Sequence, residues 1–359
     1  MFEHLSNVEY HSDSGHSSIL THSDEAFIAK APPLMYSSIE TAELIHEARA
    51  ALRIFELPGN NRQVGVHGHW IDVHGLLDAM LIGAKISGGE RYTASVIIAA
   101  SMGQSDGGIK QLADVAQDWL FHLLWPIKKA YKSKEIKYEL TTPTPRNSEA
   151  FADQSVPKER PRSSHDAIVE RDGHRCAEVV VAHILRRAIM SEEGMKTDTL
   201  PATLDILTHY ADLPKALVSD FTAQLDAAEN GMVLDVSLHT SYDRFTFCLL
   251  PTEEANKYMV HWFHDMLMNV GTGIREVKFT DHSLYGIPLP NPKFIAIHAA
   301  IAHVLHLSGA GRVIDEIIDT FFEDGVVPAS RLTDDDDMAL RMALLDIGAH
   351  QQSLDFMVF

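Results

Sequence analysis

The spacing of apolar residues changes once along this chain, and the change limits the folds open to it. Between residues 38 and 131 the apolar residues recur at helical spacing, as in Ile45, Ala48 and Leu52. Further on, short β-branched runs such as Val179–Val181 alternate with helix-like segments. A helical part followed by strands that alternate with helices is typical of an α+β protein. The sequence therefore predicts an α+β fold with a helical N-terminal part.

A stretch rich in Pro, Ser, Thr and charged residues separates the two parts and predicts a linker. The first 36 residues are polar and rich in Ser and His, and they show no clear apolar period. The predicted organisation is a disordered or loosely attached tail at 1–36, a helical domain at 37–133, a linker at 134–164, a mixed strand-and-helix domain at 165–330 and a C-terminal helix or tail at 331–359.

Cysteine content and hydropathy exclude several protein classes. The chain has 359 residues but only two cysteines, Cys176 and Cys248, which excludes a disulfide framework and a multi-cysteine zinc site. No apolar run reaches the roughly 18 residues that a membrane helix needs. The N-terminus has neither a basic start nor an apolar signal core. We therefore expect a protein of the cytosol or nucleus that does not enter a membrane.

The charge of the chain bears on its partners. Lys and Arg number 30 against 50 Asp and Glu, a formal net charge of −20. A protein that binds duplex nucleic acid without sequence preference usually displays a basic surface. The net charge therefore opposes a nucleic-acid partner without excluding a local basic groove.

Polar residues stand at the ends of three predicted elements. His183 follows the strand-like run that contains Val181, and Asn230 precedes Gly231 at a predicted helix end. His239 opens a short helix, and Asp243 lies four residues later on the same helix face. An imidazole and a carboxylate on one face suit Mg²⁺, Mn²⁺ or Zn²⁺. Asp243 is equally open to interpretation as a cap or as an ion-pair partner of Arg244 or of a neighbour, and Asn230 as an ordinary turn residue.

These residues lie within longer strings that together resemble a known family. The chain reads RDGHRC and then AEVVVAHILRR over 171–187, and NGMVLDVSLHTSYDRF over 230–245. In order and spacing these strings resemble the fungal HNH (ββα-metal) endonuclease-domain proteins, and the resemblance covers roughly 165–325. The segment from Cys176 to His183 is shorter than is usual in that family.

The resemblance implies an HNH-like ββα core and a role for each matching residue. His183, Asn230 and His239 occupy the three name-giving positions and would be catalytic, with His183 as the general base. A divalent metal (Mg, Mn or Zn) would be held by His239, Asn230 and Asp243, although Asn230 could instead clasp the loop. Phosphate would meet three basic side chains, namely Arg186, Arg187 and Arg244.

The sequence leaves three functions open. The first is a metal-dependent HNH-type hydrolase of nucleic-acid phosphodiesters, either active or degenerate. The second is an enzyme that uses the same fold on a small molecule, for example in secondary metabolism, which the acidic composition favours. The third is a catalytically silent interaction protein that forms a homodimer through its apolar C-terminal helices.

Overall fold

A computed structural model describes residues 31–66, 68–103, 108–132, 163–173, 179–190, 199–263 and 274–321. Nearly all of the predicted 134–164 linker, the predicted 331–359 tail and residues 1–30 of the predicted N-terminal tail lie outside these ranges. Residues 31–35, predicted to belong to that tail, instead form a short helix in which Ala31 and Leu34 are buried.

The N-terminal part is mainly helical, as its apolar spacing predicts. Helices and strands are numbered separately in chain order. They are α1 (Ala31–Met35), α2 (Thr41–Leu52), β1 (Gln63–Val66), β2 (His69–Asp72), α3 (Val73–Ser87), α4 (Glu90–Ser101), α5 (Ile109–Trp119) and α6 (Trp125–Lys132).

The remainder of the described chain mixes short helices with strands. These elements are α7 (Ser164–Asp172), β3 (Val179–His183), α8 (Thr199–Tyr210), α9 (Lys215–Val218), α10 (Phe221–Leu225), β4 (Gly231–Asp235), α11 (Val236–Asp243), β5 (Phe247–Pro251), β6 (Lys257–Trp262), β7 (Glu276–Lys278), α12 (Pro292–Leu307) and α13 (Ala310–Phe321). The described chain is thus a mixture of helices and small sheets, in agreement with the predicted α+β class.

The strands of the described residues form three small antiparallel sheets. Strands β1 and β2 make a hairpin, β3 pairs with β4, and β5, β6 and β7 form a three-stranded sheet in that order. In the β3–β4 pair Val179 lies opposite Asp235, and His183 lies opposite Gly231. The pairing therefore brings the end of β3 to the start of β4.

One apolar core runs through both parts of the chain. Helix α12 packs against α3 of the N-terminal part and against β5 of the C-terminal part. Gly83 on α3 permits this close packing, because a Cβ atom there would lie 2.9 Å from the carbonyl oxygen of Ala300. The segments 37–133 and 165–330, predicted as two domains, therefore share a core where they are described.

Two local features of the N-terminal part depart from regular α-helix. Residues 69–72 form β2, and Asp72 then caps α3 by accepting a hydrogen bond from the Gly75 N–H at 2.7 Å. A π-helical turn at Leu120–Leu124 separates α5 from α6. The turn lies just before Pro126, which has no N–H to continue regular helical bonding.

No single helix among the described residues has the length and apolarity that a membrane crossing requires. Helix α12 and residues Ala310–Asp319 pass that test only when taken together, and they meet at an 85° bend.

Arg171 is a fully buried cation that ties α7 to β4. Its guanidinium donates to the carbonyl oxygens of Ala228 at 2.9 Å, Pro288 at 3.0 Å and Gly231 at 2.7 Å, and to the carboxylate of Asp172. Asp172 in turn accepts from the backbone N–H of β4 residue 233 at 2.8 Å. The planar fork of an arginine satisfies several acceptors at once, which a lysine cannot do. The Arg-Asp pair of the RDGHRC string therefore fixes the start of β4.

We expect Arg171→Lys to lower the free energy of unfolding by about 3 kcal/mol, because it leaves buried carbonyl groups unpaired around a compact charge. Urea unfolding followed by circular dichroism measures the change. Arg187→Lys is the matched control, since Arg187 pairs with Asp226 at an exposed position, and it should change stability by less than about 0.5 kcal/mol. Equal stability of the two variants would contradict the role given to Arg171.

Candidate functional site

Two strands and one short helix frame the candidate site. Strands β3 and β4 pair antiparallel, and α11 follows β4 directly and contacts both strands. Asp235 starts α11 because its side chain accepts hydrogen bonds from the N–H of Ser237 at 2.8 Å and from the hydroxyl of that residue at 2.6 Å. These bonds also hold the pKa of Asp235 below its usual range.

Asn230 holds together the loops at one end of the strand pair. Its side-chain oxygen accepts from the Leu185 N–H at 2.8 Å, and its side-chain nitrogen donates to the carbonyls of Leu185 at 2.7 Å and Leu225 at 2.8 Å. Its backbone carbonyl accepts from the Ile184 N–H at 2.8 Å. Asn230 is fully buried and lies in a 3-10 turn with negative φ, so it is a loop clasp and not a left-handed turn residue.

His183 is the exposed imidazole of the site. It ends β3, and the clasped residues Ile184 and Leu185 follow it immediately. Partial desolvation lowers its pKa, and the positive charge of Arg186 lowers it further. His183 is therefore neutral near pH 7 and able to accept a proton.

A buried polar group lies on the face of α11 that the helical spacing predicts. His239 and Asp243 are 3% and 5% exposed, and His239 Nε2 lies 3.6 Å from Asp243 Oδ2. The same Asp243 oxygen accepts a hydrogen bond from Arg186 Nη2. Asp243 therefore pairs with Arg186 and not with its chain neighbour Arg244.

Burial governs the charge of this polar group. Desolvation lowers the pKa of His239 to about 4, and Arg186 contributes in the same direction. Desolvation raises the pKa of Asp243 to about 6, against the opposing effect of Arg186. The charge of His183 also shifts the pKa of Asp243, and that of His239 shifts the pKa of His183. The residues are therefore electrostatic neighbours, and near pH 7 the only charged pair among them is Arg186 with Asp243.

Tyr131 reaches the site from α6, which is distant in sequence. Its hydroxyl donates to the carbonyl of Ile184, and the guanidinium carbon of Arg186 lies 5.4 Å from the centre of its ring. An arginine over an aromatic face is held by a cation–π attraction. Tyr131 carries no sequence signal for this role, because it lies on an apolar face of an ordinary helix.

An aromatic stack anchors the end of α11. The ring of His298, on α12, lies 3.6 Å from that of Tyr242 and 4.6 Å from that of Phe245, nearly parallel to both. Phe245 has a φ of 60°, a left-handed conformation that ends the helix and is costly for a bulky residue. The stack holds Phe245 in that conformation and so directs the chain into β5.

The three arginines predicted to meet phosphate differ in their surroundings. Arg186 lies inside the site and is committed in part to Asp243. Arg187 is exposed and donates to Asp226 at 2.8 Å, while Arg244 lies exposed at the end of α11. Asp226, which the sequence does not single out, also raises the pKa of His183. The structure therefore places only Arg186 beside the buried pair on α11.

Two of the three predicted metal ligands, Asn230 and Asp243, are engaged in other contacts in this arrangement. The Asn230 amide is committed to three backbone groups, and Asp243 Oδ2 is already bound to Arg186. In the described part of the chain no group of three or more His, Cys, Asp or Glu side chains could hold a metal ion. In this structure Asn230, predicted as a metal ligand, therefore acts as a loop clasp, and Asp243, predicted as another, pairs with Arg186.

We expect Asn230→Asp to lower the free energy of unfolding by about 3 kcal/mol or more. The substitution replaces a buried donor by an acceptor that faces the carbonyls of Leu185 and Leu225. Chemical denaturation measures the loss, and Asn61→Asp, at an exposed position, is the control. A variant as stable as the control would show that Asn230 is not the clasp.

The buried His298 gives the fold a dependence on pH. Desolvation lowers its pKa from 6.5 to about 3, so the unfolded chain binds a proton there before the folded chain does. Its contribution to stability is present above pH 6.5 and is lost as the pH falls toward 3.

We therefore expect His298→Phe to flatten the acid side of the stability profile. The difference in unfolding free energy between the wild type and this variant should change by up to about 1.4 kcal/mol per pH unit below pH 6, in the sense that acid weakens the wild type more. Unfolding titrations between pH 4.5 and 7.5 measure it, with the exposed His46→Phe as control. Parallel profiles for all three proteins would be inconsistent with a neutral buried His298.

Comparison with known proteins gives no family for this chain: no family model, no curated protein and no solved structure matches it.

Proposed function

We propose that this chain is an HNH-type hydrolase of phosphodiester bonds in nucleic acid, with His183 as its general base. The observation that carries the proposal is the position of His183. It is an exposed, neutral imidazole at the end of β3, and the paired strand β4 leads directly into the helix that bears His239 and Asp243. A ββα unit with these residues is what the family resemblance leads us to expect.

The residues present suggest how the reaction would run. His183 accepts a proton from water as the water oxygen attacks phosphorus, and the bond from phosphorus to the leaving oxygen breaks. The leaving oxygen takes up a proton from solvent and departs as an alcohol. Negative charge then builds on the phosphate oxygens, and the guanidinium of Arg186 can donate to them from the groups that Asp243 does not occupy. Asn230 acts through position alone, because it holds the residues that separate His183 from Arg186.

Cleavage of end-labelled single-stranded and duplex oligonucleotides tests the proposal. We expect His183→Ala to lower kcat/KM at least 100-fold, the usual loss when a general base is removed. His46→Ala, on the exposed face of α2, is the matched control. Equal cleavage by wild type and His183→Ala would remove His183 from the mechanism.

The pH dependence of the reaction gives a further check. Because burial and Arg186 lower the pKa of His183, kcat/KM should fall on the acid side with an apparent pKa below 6.5. Rates measured between pH 4.5 and 8 give this value. An acid limb centred above 6.5 would indicate a different base.

A small-molecule substrate is the second candidate, and the net charge of −20 favours it. A long polyanion is repelled by such a surface, whereas a small phosphodiester is repelled far less. Hydrolysis of bis(p-nitrophenyl) phosphate by the wild type, lost in His183→Ala and accompanied by no cleavage of oligonucleotides, would select this candidate. Absence of both reactions would favour the silent interaction protein.

A further inference from the structure

Arg186 occupies the place where the resemblance leads us to expect a metal cation. Its Nη2 donates to Asp243 Oδ2, and the same oxygen lies 3.6 Å from His239 Nε2. Of the two side chains predicted to present a divalent ion on one face of α11, Asp243 therefore binds a guanidinium group instead. A cation that bound there would have to displace it.

We propose that Arg186 is the resident cation of this site: its guanidinium takes the position of a divalent metal beside Asp243 and His239, keeps metal out, and supplies the positive charge that a phosphate needs. The exclusion of metal stands on the contacts alone, while the role toward phosphate rests on the proposed function.

The surrounding residues fix Arg186 in this position. The residue before it, Leu185, has both its N–H and its carbonyl held by Asn230. The ring of Tyr131 lies beneath the guanidinium, and its hydroxyl binds the carbonyl of Ile184. Three anchors, from the turn before β4, from α6 and from α11, therefore hold Arg186 and the backbone that leads to it, which is more than an incidental surface ion pair receives.

Arg186 also keeps donor groups for a ligand. Its side chain is 20% exposed, and its Nε is buried without a hydrogen-bond partner among the described residues. Asp243 Oδ1 is likewise buried without one. A buried donor of a charged group is costly when it is left unpaired. An oxyanion placed against the exposed part of the guanidinium can accept hydrogen bonds from it, whereas a divalent metal would be repelled by its charge.

Titration of the purified full chain with Mn²⁺, followed by electron paramagnetic resonance of the free ion, tests the exclusion. We expect no site tighter than about 1 mM in the wild type, in Arg186→Lys and in the control Arg187→Met, because a cation remains beside Asp243 in each. Arg186→Met keeps an unbranched apolar side chain at this position and removes the charge, so it should gain a site at least tenfold tighter. Arg186→Met combined with Asp243→Asn should lose that site again.

A second readout measures the binding of a phosphodiester in EDTA, which removes metal ions. It does not use Arg186→Met and so does not depend on the stability of that variant. Wild type should bind bis(p-nitrophenyl) phosphate, monitored by calorimetry at low temperature, and Arg186→Lys should bind it up to tenfold more weakly. His183→Ala, which keeps Arg186, should bind within threefold of wild type.

Several outcomes overturn the inference. Tight Mn²⁺ binding by the wild type that is lost in His239→Ala would show that the metal coexists with Arg186. A folded Arg186→Met with no gain of Mn²⁺ affinity would show that the guanidinium does not hold a cation site. These results are independent of turnover: absent cleavage with the expected Mn²⁺ pattern refutes only the proposed function, and cleavage that requires Mn²⁺ in the wild type refutes only this inference.

Discussion

The site depends on the side-chain amide of Asn230. This buried amide binds both backbone groups of Leu185 and the carbonyl of Leu225. It therefore fixes the turn that leads from the end of β3 to Arg186. A buried amide whose oxygen and nitrogen are both bonded in such a turn stabilises one backbone conformation over its alternatives, because each lost bond leaves an unpaired group in a dry environment. The exposed imidazole of His183 precedes this turn and the guanidinium of Arg186 follows it. The turn therefore sets the relative positions of the His183 and Arg186 backbones.

The rest of the molecule supports that turn from several directions. Arg171 fixes the start of β4 through carbonyl groups of three different segments, and Tyr131 approaches from a helix of the N-terminal part. The aromatic stack around His298 holds the far end of α11. Because the core that joins these elements is continuous, the helical part of the chain packs against the site and supports it. A site that is built this way is pre-organised, and little conformational freedom remains to be lost when a ligand binds.

Local features of the site could be predicted from the sequence, and long-range ones could not. The run that ends at His183 predicts β3, the Asn-Gly pair predicts the break before β4, and the four-residue spacing of His239 and Asp243 predicts their shared face. The partner of Asp243 could not be predicted, because Arg186 and Arg244 are equally plausible by charge and only the tertiary fold selects between them. The same holds for Tyr131, whose spacing fits an apolar helix face, and for the shared core, since a Pro- and Ser-rich segment predicts a boundary but carries no information about which surfaces meet.

The proposed function depends on one arrangement: in the free protein His183 lies close enough to Arg186 and His239 for their charges to lower its pKa. The most direct measurement is the NMR titration of the His183 ring, with its resonance assigned by its absence in His183→Ala. We expect a pKa of His183 below 6.5, because partial desolvation and the positive charge of Arg186 both disfavour the protonated ring. A His183 pKa of 6.5 or higher, as for an isolated imidazole on a protein surface, would contradict it.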